Sequence, residues 1–187
     1  IAFAVRERLL WIRKHQVRIT SWPRIQPLAL VTGEQVPYQG RLYDLRVVEA
    51  AGRPSVAVHD DGRMVLRMKS GSDRQVRGKL LDKWYRERLA ETVPPMLAHW
   101  QQVMGVTVNE WRIRKMKSRW GSCNTKARRV WINLELVKRP PALLEFIVVH
   151  EMAHLIEPSH NANFKRLMTK YMPDWREREA QLKKMEL

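Results

Sequence analysis

The chain has a single cysteine in 187 residues. Cys123 alone cannot close an internal disulfide, which sets aside disulfide-stapled secreted scaffolds and points to a reducing compartment, the cytoplasm. Long apolar runs are missing as well. None approaches the ~18 residues a membrane-crossing helix needs, and the run nearest the most informative motif, Phe146 to Val149, stops at His150. The first residues, IAFAVRERLLWI, are broken by Arg6, Glu7 and Arg8 and lack the apolar core of a signal peptide. Acidic residues are scarce: 19 Asp and Glu stand against 35 Lys and Arg, a net charge of +16. That field attracts nucleic acid or nucleotides, but the cations are spread along the chain, which favours a solvated basic surface over a dedicated interface. No glycine-rich phosphate cradle, no array of carboxylates for two divalent ions, no Cys-based zinc pattern and no internal repeat is present. What remains is a composition of 44% hydrophobic and 29% charged residues, enough for one sizeable core. Oligomeric state leaves no trace in it.

The texture along the chain changes several times. Val5, Leu9, Leu10 and Ile12 recur at near-helical spacing over Val5–Lys14. Residues 17–70, broken by Pro23, Pro27, Gly33, Gly40 and Gly52, read as antiparallel strands and hairpins, with His59-Asp60-Asp61-Gly62 as a turn. From Ser70–Arg74 a helical pattern sets in, with Val76, Leu80, Leu81, Trp84, Tyr85 and Leu89 along one side, and Pro94-Pro95 is expected to end or kink it. Two β-like runs follow, VNEWRIRKM and RRVWINLEL, separated by KSRWGSCNTKA. The second places Val130, Ile132, Leu134 and Leu136 on one face and Trp131, Asn133 and Glu135 on the other. Pro141 then opens a helix, PALLEFIVVHEMAHLIE, apolar almost all round and so buried, which Pro158 stops. Ser159 is positioned to cap a further helix with Phe164, Leu167, Met168 and Tyr171 as its stripe, and the tail from Trp175 reads as a charged surface helix. The expectation is an α+β protein with a short N-terminal helix plus a β-rich subdomain over 1–72 and a core of helices and short strands over 73–187.

The chemistry concentrates in VVHEMAHLIEPSHNANF, residues 148–164. His150 and His154, four apart on a helix, project from one face one turn apart, as two nitrogens sharing a tetrahedral metal require. Glu151, one residue after the first ligand, is placed to handle a proton of water at the metal rather than to ligate, the division of labour of H-E-x-x-H. A buried helix carrying two His and a Glu without partners would cost roughly 2–7 kcal/mol per unsatisfied group; coordination removes that cost. His160, ten residues beyond His150, has the offset of the third ligand in H-E-x-x-H-x-x-G-x-x-H, although Glu157 stands where that signature has glycine. It leads over two oxygen ligands, Glu157 and Asp174. An all-His site with an adjacent Glu suits catalysis better than structural zinc.

Taken together, RWGSC at 119–123, INLEL at 132–136, HEMAHL at 150–155, SH at 159–160, Phe164, PDW at 173–175 and GEQVPYQGRLYDLRV at 33–47 resemble the YgjP-like zinc metallopeptidases, relatives of the SprT-like zincins. The resemblance spans most of the chain. It implies a zincin-like α+β core, an active-site helix and backing helices on a small antiparallel or mixed sheet, in which His150, His154 and His160 hold one Zn2+ per chain and Glu151 is catalytic. It also implies a peptide or protein substrate, able to pair with the strand matching RRVWINLEL. Other reactions stay open beside it: a metal-dependent phosphohydrolase acting on nucleotides, or a nucleic-acid-associated protease or binding protein.

Further positions carry readings of their own. Arg119 is a candidate for a substrate carboxylate, phosphate or oxyanion. Asn133, on the non-core face of its strand, orients a loop or substrate backbone, or makes a plain strand-end hydrogen bond. Trp120, Gly121 and Cys123 read as a core anchor, a turn and a small buried residue; Met168 and Met172 read as core packing in preference to a floor under the metal. In the basic run WRIRKMKSR, Arg112 and Arg114 face one way, Lys115, Lys117 and Arg119 the other, so one ligand meets one set; a solvated strand edge explains the run without any ligand.

Overall fold

A computed structural model describes residues 28–185. The helix expected over Val5–Lys14 and the start of the β-rich stretch, residues 17–27, lie outside them. The fold is α+β, with four α-helices and two small mixed sheets among the described residues.

The first sheet holds β1 (Gln35–Tyr38), β2 (Arg41–Glu49), β3 (Ser55–Val58) and β4 (Arg63–Met68) in the order β1-β2-β4-β3. The expected turn at His59–Gly62 joins β3 and β4 as an antiparallel hairpin. The arrangement is nevertheless not wholly antiparallel, because β4 pairs with β2 in parallel. Burial explains the choice: Met64, Leu66 and Met68 alternate into the core at 0–2% exposure, so β4 takes an interior place and the shorter, more exposed SVAV segment takes the edge.

Helix α1 runs unbroken from Arg74 to Met104, capped by Asp73, which accepts from the Val76 amide at 2.8 Å, and closed by Gly105 in the left-handed conformation. The helix does not end at Pro94-Pro95, one of the two outcomes expected from sequence. Proline removes two helical donors, but the carbonyls left over belong to Ala90 and Glu91 on the exposed side, where water serves them. On the other side Leu89, Val93, Leu97 and Trp100 continue one buried stripe across the pair, and tertiary packing overrides local preference.

Two contacts lock the first sheet to the rest. Tyr85 of α1 donates to the Pro37 carbonyl at 2.5 Å. The β1–β2 turn also sends the Gln39 and Gly40 amides to the carbonyls of Val137 and Lys138. Gly40 (φ +79°) is needed there, since a Cβ would sit 2.7 Å from Pro140 Cγ.

The second sheet comprises β5 (Glu110–Arg114), β6 (Gly121–Asn124) and β7 (Arg129–Asn133) in the order β5-β7-β6. Strand β6 lies inside the segment read as a connection, and the LEL of the second β-like run is not strand. Leu134–Lys138 form a 3-10 turn started by Asn133, which accepts from the Glu135 amide at 3.2 Å, with Leu134 and Leu136 still buried.

Helix α2 (Pro141–Ala153) is the hub, packed against α1, β6, α3 (Ala162–Tyr171) and α4 (Trp175–Lys184). Three sequence expectations change here. The helix ends at Ala153 rather than at Pro158, because the amides of Leu155, Ile156 and Glu157 turn back onto Met152 and Ala153. The cap of α3 is Asn161, which accepts from the Phe164 amide at 3.0 Å, and not Ser159. Nor is the tail only a surface helix, since Trp175 and Leu182 bury one side of α4.

Candidate metal centre

The early end of α2 is what assembles the site. His150 and His154 remain on one face, ring centroids 5.1 Å apart, and the turn through Pro158 and Ser159 brings His160 back onto them. Glu157 stabilises that turn, its carboxylate accepting from the Ser159 amide and hydroxyl at 3.2 and 3.0 Å. These bonds hold its carboxyl below the usual range. Asp174 is likewise engaged elsewhere, with Arg178 at 2.8 Å. The residues the structure brings together are His150, His154 and His160, whose ligand nitrogens lie within 4.8 Å of one another, while Glu157 and Asp174 stand apart from this group.

The donor set fits a small tetrahedral ion. Nitrogens about 2.0–2.1 Å from a metal are spaced about 3.4 Å apart in a tetrahedron, and His150 Nε2 and His160 Nε2 are 3.0 Å apart. His154 Nδ1 lies 3.2 Å from the Glu157 carbonyl; a carbonyl only accepts, so Nδ1 carries the proton and Nε2 keeps its lone pair. Burial, reinforced by the other two histidines, pushes His150 down to about 3. Burial also lowers His154, against its hydrogen bond to Glu157. Both rings are therefore neutral near pH 7, as ligation requires.

Phe164 is the contributor whose role sequence reading missed. It was legible as one position of an apolar stripe, but it is 1% exposed and its ring lies 5.0, 4.6 and 4.8 Å from those of His150, His154 and His160. The ring stacks on His154, with 26° between planes, and meets His150 and His160 nearly perpendicularly, at 69° and 80°. Met168 and Met172, at 0% and 3% exposure, are core residues.

Glu151 lies beneath β6 at 6% exposure. Burial pushes its carboxyl up to about 8, with the positive charge of Arg119 pulling the other way. The reason RWGSC needs its glycine is this carboxylate: a Cβ on Gly121 would sit 2.6 Å from Glu151 Oε1 and 2.7 Å from its Cγ. Gly121 is thus the first residue of a strand packed on Glu151 and not a turn. Gly121→Ala should leave the metal content unchanged and cost about 1–3 kcal/mol by overpacking. Thermal unfolding alongside elemental analysis checks it.

These groups line a cleft of about 540 Å³ walled also by Phe146, Ile147 and Leu182, with exposed Arg119 on its rim. Cys123 shares the wall, where burial with the nearby Glu151 pushes its thiol up to about 11, and it stands outside the group of converging histidines. Asn133 is withdrawn from the substrate role. It is 0% exposed, donates to the carbonyls of Met116 (2.9 Å) and Arg119 (2.7 Å) and accepts from the Met116 amide (3.2 Å). It therefore shapes the loop that carries Arg119. Substrate pairing with β7 is excluded too, because β5 and β6 occupy both its edges; among the described residues, the edge beside the cleft that no strand pairs belongs to β6.

In comparison with known proteins, the family profile of the YgjP-like metallopeptidase domain matches residues 1–185. The crystal structure of the metallopeptidase zymogen of Pyrococcus abyssi abylysin is 23% identical with a TM-score of 0.45, over 48% of this chain and 90% of that one. No curated protein matches.

Proposed function

Because this chain belongs to the YgjP-like metallopeptidase family, we propose that it is a zinc-dependent peptidase with His150, His154 and His160 as ligands and Glu151 as general base. The observation that carries this reading is a carboxylate buried at the floor of a cleft, next in sequence to the first of three converging imidazoles. Zinc held by those nitrogens supplies Lewis acidity, lowering the pKa of a water toward ~7 and polarising a peptide carbonyl.

The rest is the work of this chain's own residues. An extended substrate adds to the free edge of β6, which sets its backbone across the cleft. Glu151 accepts a proton from the attacking water and returns it to the leaving amine. Packing against Gly121 fixes the carboxylate for both transfers. Arg119, on the rim, offers a cation to a substrate carboxylate or to charge developing on the carbonyl oxygen. The β-rich part over 1–72 is a separate subdomain in this proposal, clipped to the catalytic part over 73–187 by Tyr85 and the β1–β2 turn. No helix among the described residues is long and apolar enough to cross a membrane, and the lone cysteine supports a cytoplasmic setting.

Incubating the zinc-loaded protein with a peptide library and, in parallel, with nucleoside triphosphates tests the reaction class. Cleaved peptides, abolished by a chelator and restored by zinc, are expected. Chelator-sensitive release of phosphate or pyrophosphate with intact peptides would transfer the site to phosphate chemistry.

A further inference from the structure

We propose that the outer face of the β6–β7 pair is a side-chain subsite for an acidic residue, Asp or Glu, of the substrate peptide. The inference rests on the peptidase reading and names the substrate class that reading leaves open.

A second cavity, of about 380 Å³, lies against this face and shares Ser122, Cys123 and Thr125 with the catalytic cleft; Asn124, Lys126, Arg129 and Trp131 complete its lining. Strand alternation links the two cavities. Along β6, Gly121 lies against Glu151, and Cys123 shares that side. Ser122 and Asn124 take the other, opposite Trp131 and Arg129. A peptide added to the free edge of β6 alternates in step, so residues next to those facing Glu151 direct their side chains to the Ser122–Asn124 side.

The lining has cations and donors and no carboxylate. Lys126 is exposed and has no ion-pair partner among the described residues. Asn124 uses its side-chain oxygen on the Ala127 amide at 2.9 Å, which leaves its NH2 free to donate. The strand register puts Arg112 of β5 on the same face beside Trp131. Glu110 is shared between Arg112 and Arg129, while Arg114 lies over Trp131 and Lys126 lines the cavity, so cations outnumber acids on this face. A carboxylate is acceptor-only and complements this donor-rich, positive wall.

A nucleic-acid strand fits less well. Base stacking would need the face of Trp131, and the Arg114 guanidinium already covers that ring at 3.6 Å, with Arg129 at 5.0 Å.

The test uses the zinc-loaded full chain and pairs of peptides differing by Glu or Gln at each position flanking the scissile bond, assayed with the wild type, Lys126→Ala and Lys126→Glu. The expected result is a Glu-over-Gln ratio in kcat/KM of about tenfold or more at one position, falling toward one in Lys126→Ala and inverting in Lys126→Glu. Equal rates for the two peptides in the wild type, or a preference untouched by Lys126→Glu, would overturn the subsite while leaving the peptidase intact. Failure of the loaded wild type to cleave any peptide would overturn both. Salt-sensitive binding of a fluorescent oligothymidylate that is lost in Lys126→Glu, without any acidic preference, would reassign the face to nucleic acid.

Discussion

Glu151→Gln should keep its full metal content and lose turnover by about 10²–10⁴-fold, the size of a general-base contribution. Glutamine has the same shape and fits beneath Gly121, whose closest approach is to the carboxylate oxygen and Cγ. What it cannot do is accept and return a proton. Folding is not the cause of the expected loss. A buried acid whose carboxyl is raised to about 8 binds protons more strongly folded than unfolded, so it lowers metal-free stability progressively as pH rises from the ordinary Glu range to 8. The neutral amide removes that cost, and the metal-free variant should unfold at the same or a higher temperature than the wild type at pH 8. Single-turnover rates on a cleaved peptide, with metal content and melting measured on the same samples, separate these effects. Wild-type turnover in a fully loaded variant would remove Glu151 from the chemistry.

The second large effect is expected at a residue that touches neither water nor metal. Phe164→Ala takes away the ring that meets all three imidazoles and leaves a cavity at a site with 1% exposure, which costs about 3–5 kcal/mol. Against a total of about 5–15 kcal/mol for a domain, that is a severe loss. Phe164→Leu separates packing from ligation: it restores most of the volume but not the flat aromatic face, so it should fold while holding zinc about 10–100-fold more weakly, the usual cost of losing support behind ligands. Chelator competition and thermal unfolding are the two readouts. Wild-type zinc affinity in Phe164→Leu would show that the histidines are oriented by the turn alone.

The site was far more legible in the sequence than the fold around it. The spacing of His150, Glu151, His154 and His160 survives translation into three dimensions because the first two ride the last turn of α2 and His154, its C-cap, keeps the helical conformation, so spacing still sets direction. His160 depended on a turn whose Glu157 lacks the glycine of the related signature, and the turn is built from Glu157 and Ser159 side-chain bonds that no periodicity reveals. Pro94-Pro95 left the end of the helix open because local preference carries no record of the buried stripe on both sides of the pair. Strand β6 was hidden for a related reason. Four residues, GSCN, have no β-branched pattern, and they form a strand because Gly121 must lie flat on Glu151 while β7 provides the hydrogen bonds. For Asn133 alternation says only that it lies opposite the core, where loop and substrate are both within reach; the loop at 116–119 folds over it and uses its amide completely.

The account stands on three histidines holding one ion, and metal content tests that directly. Protein purified without added chelator, as wild type and as His160→Ala, should be analysed by elemental mass spectrometry after zinc loading and desalting. One zinc per chain in the wild type, and strong depletion in His160→Ala, is the predicted result. Wild-type zinc in the variant, or none in either protein after loading, would contradict it.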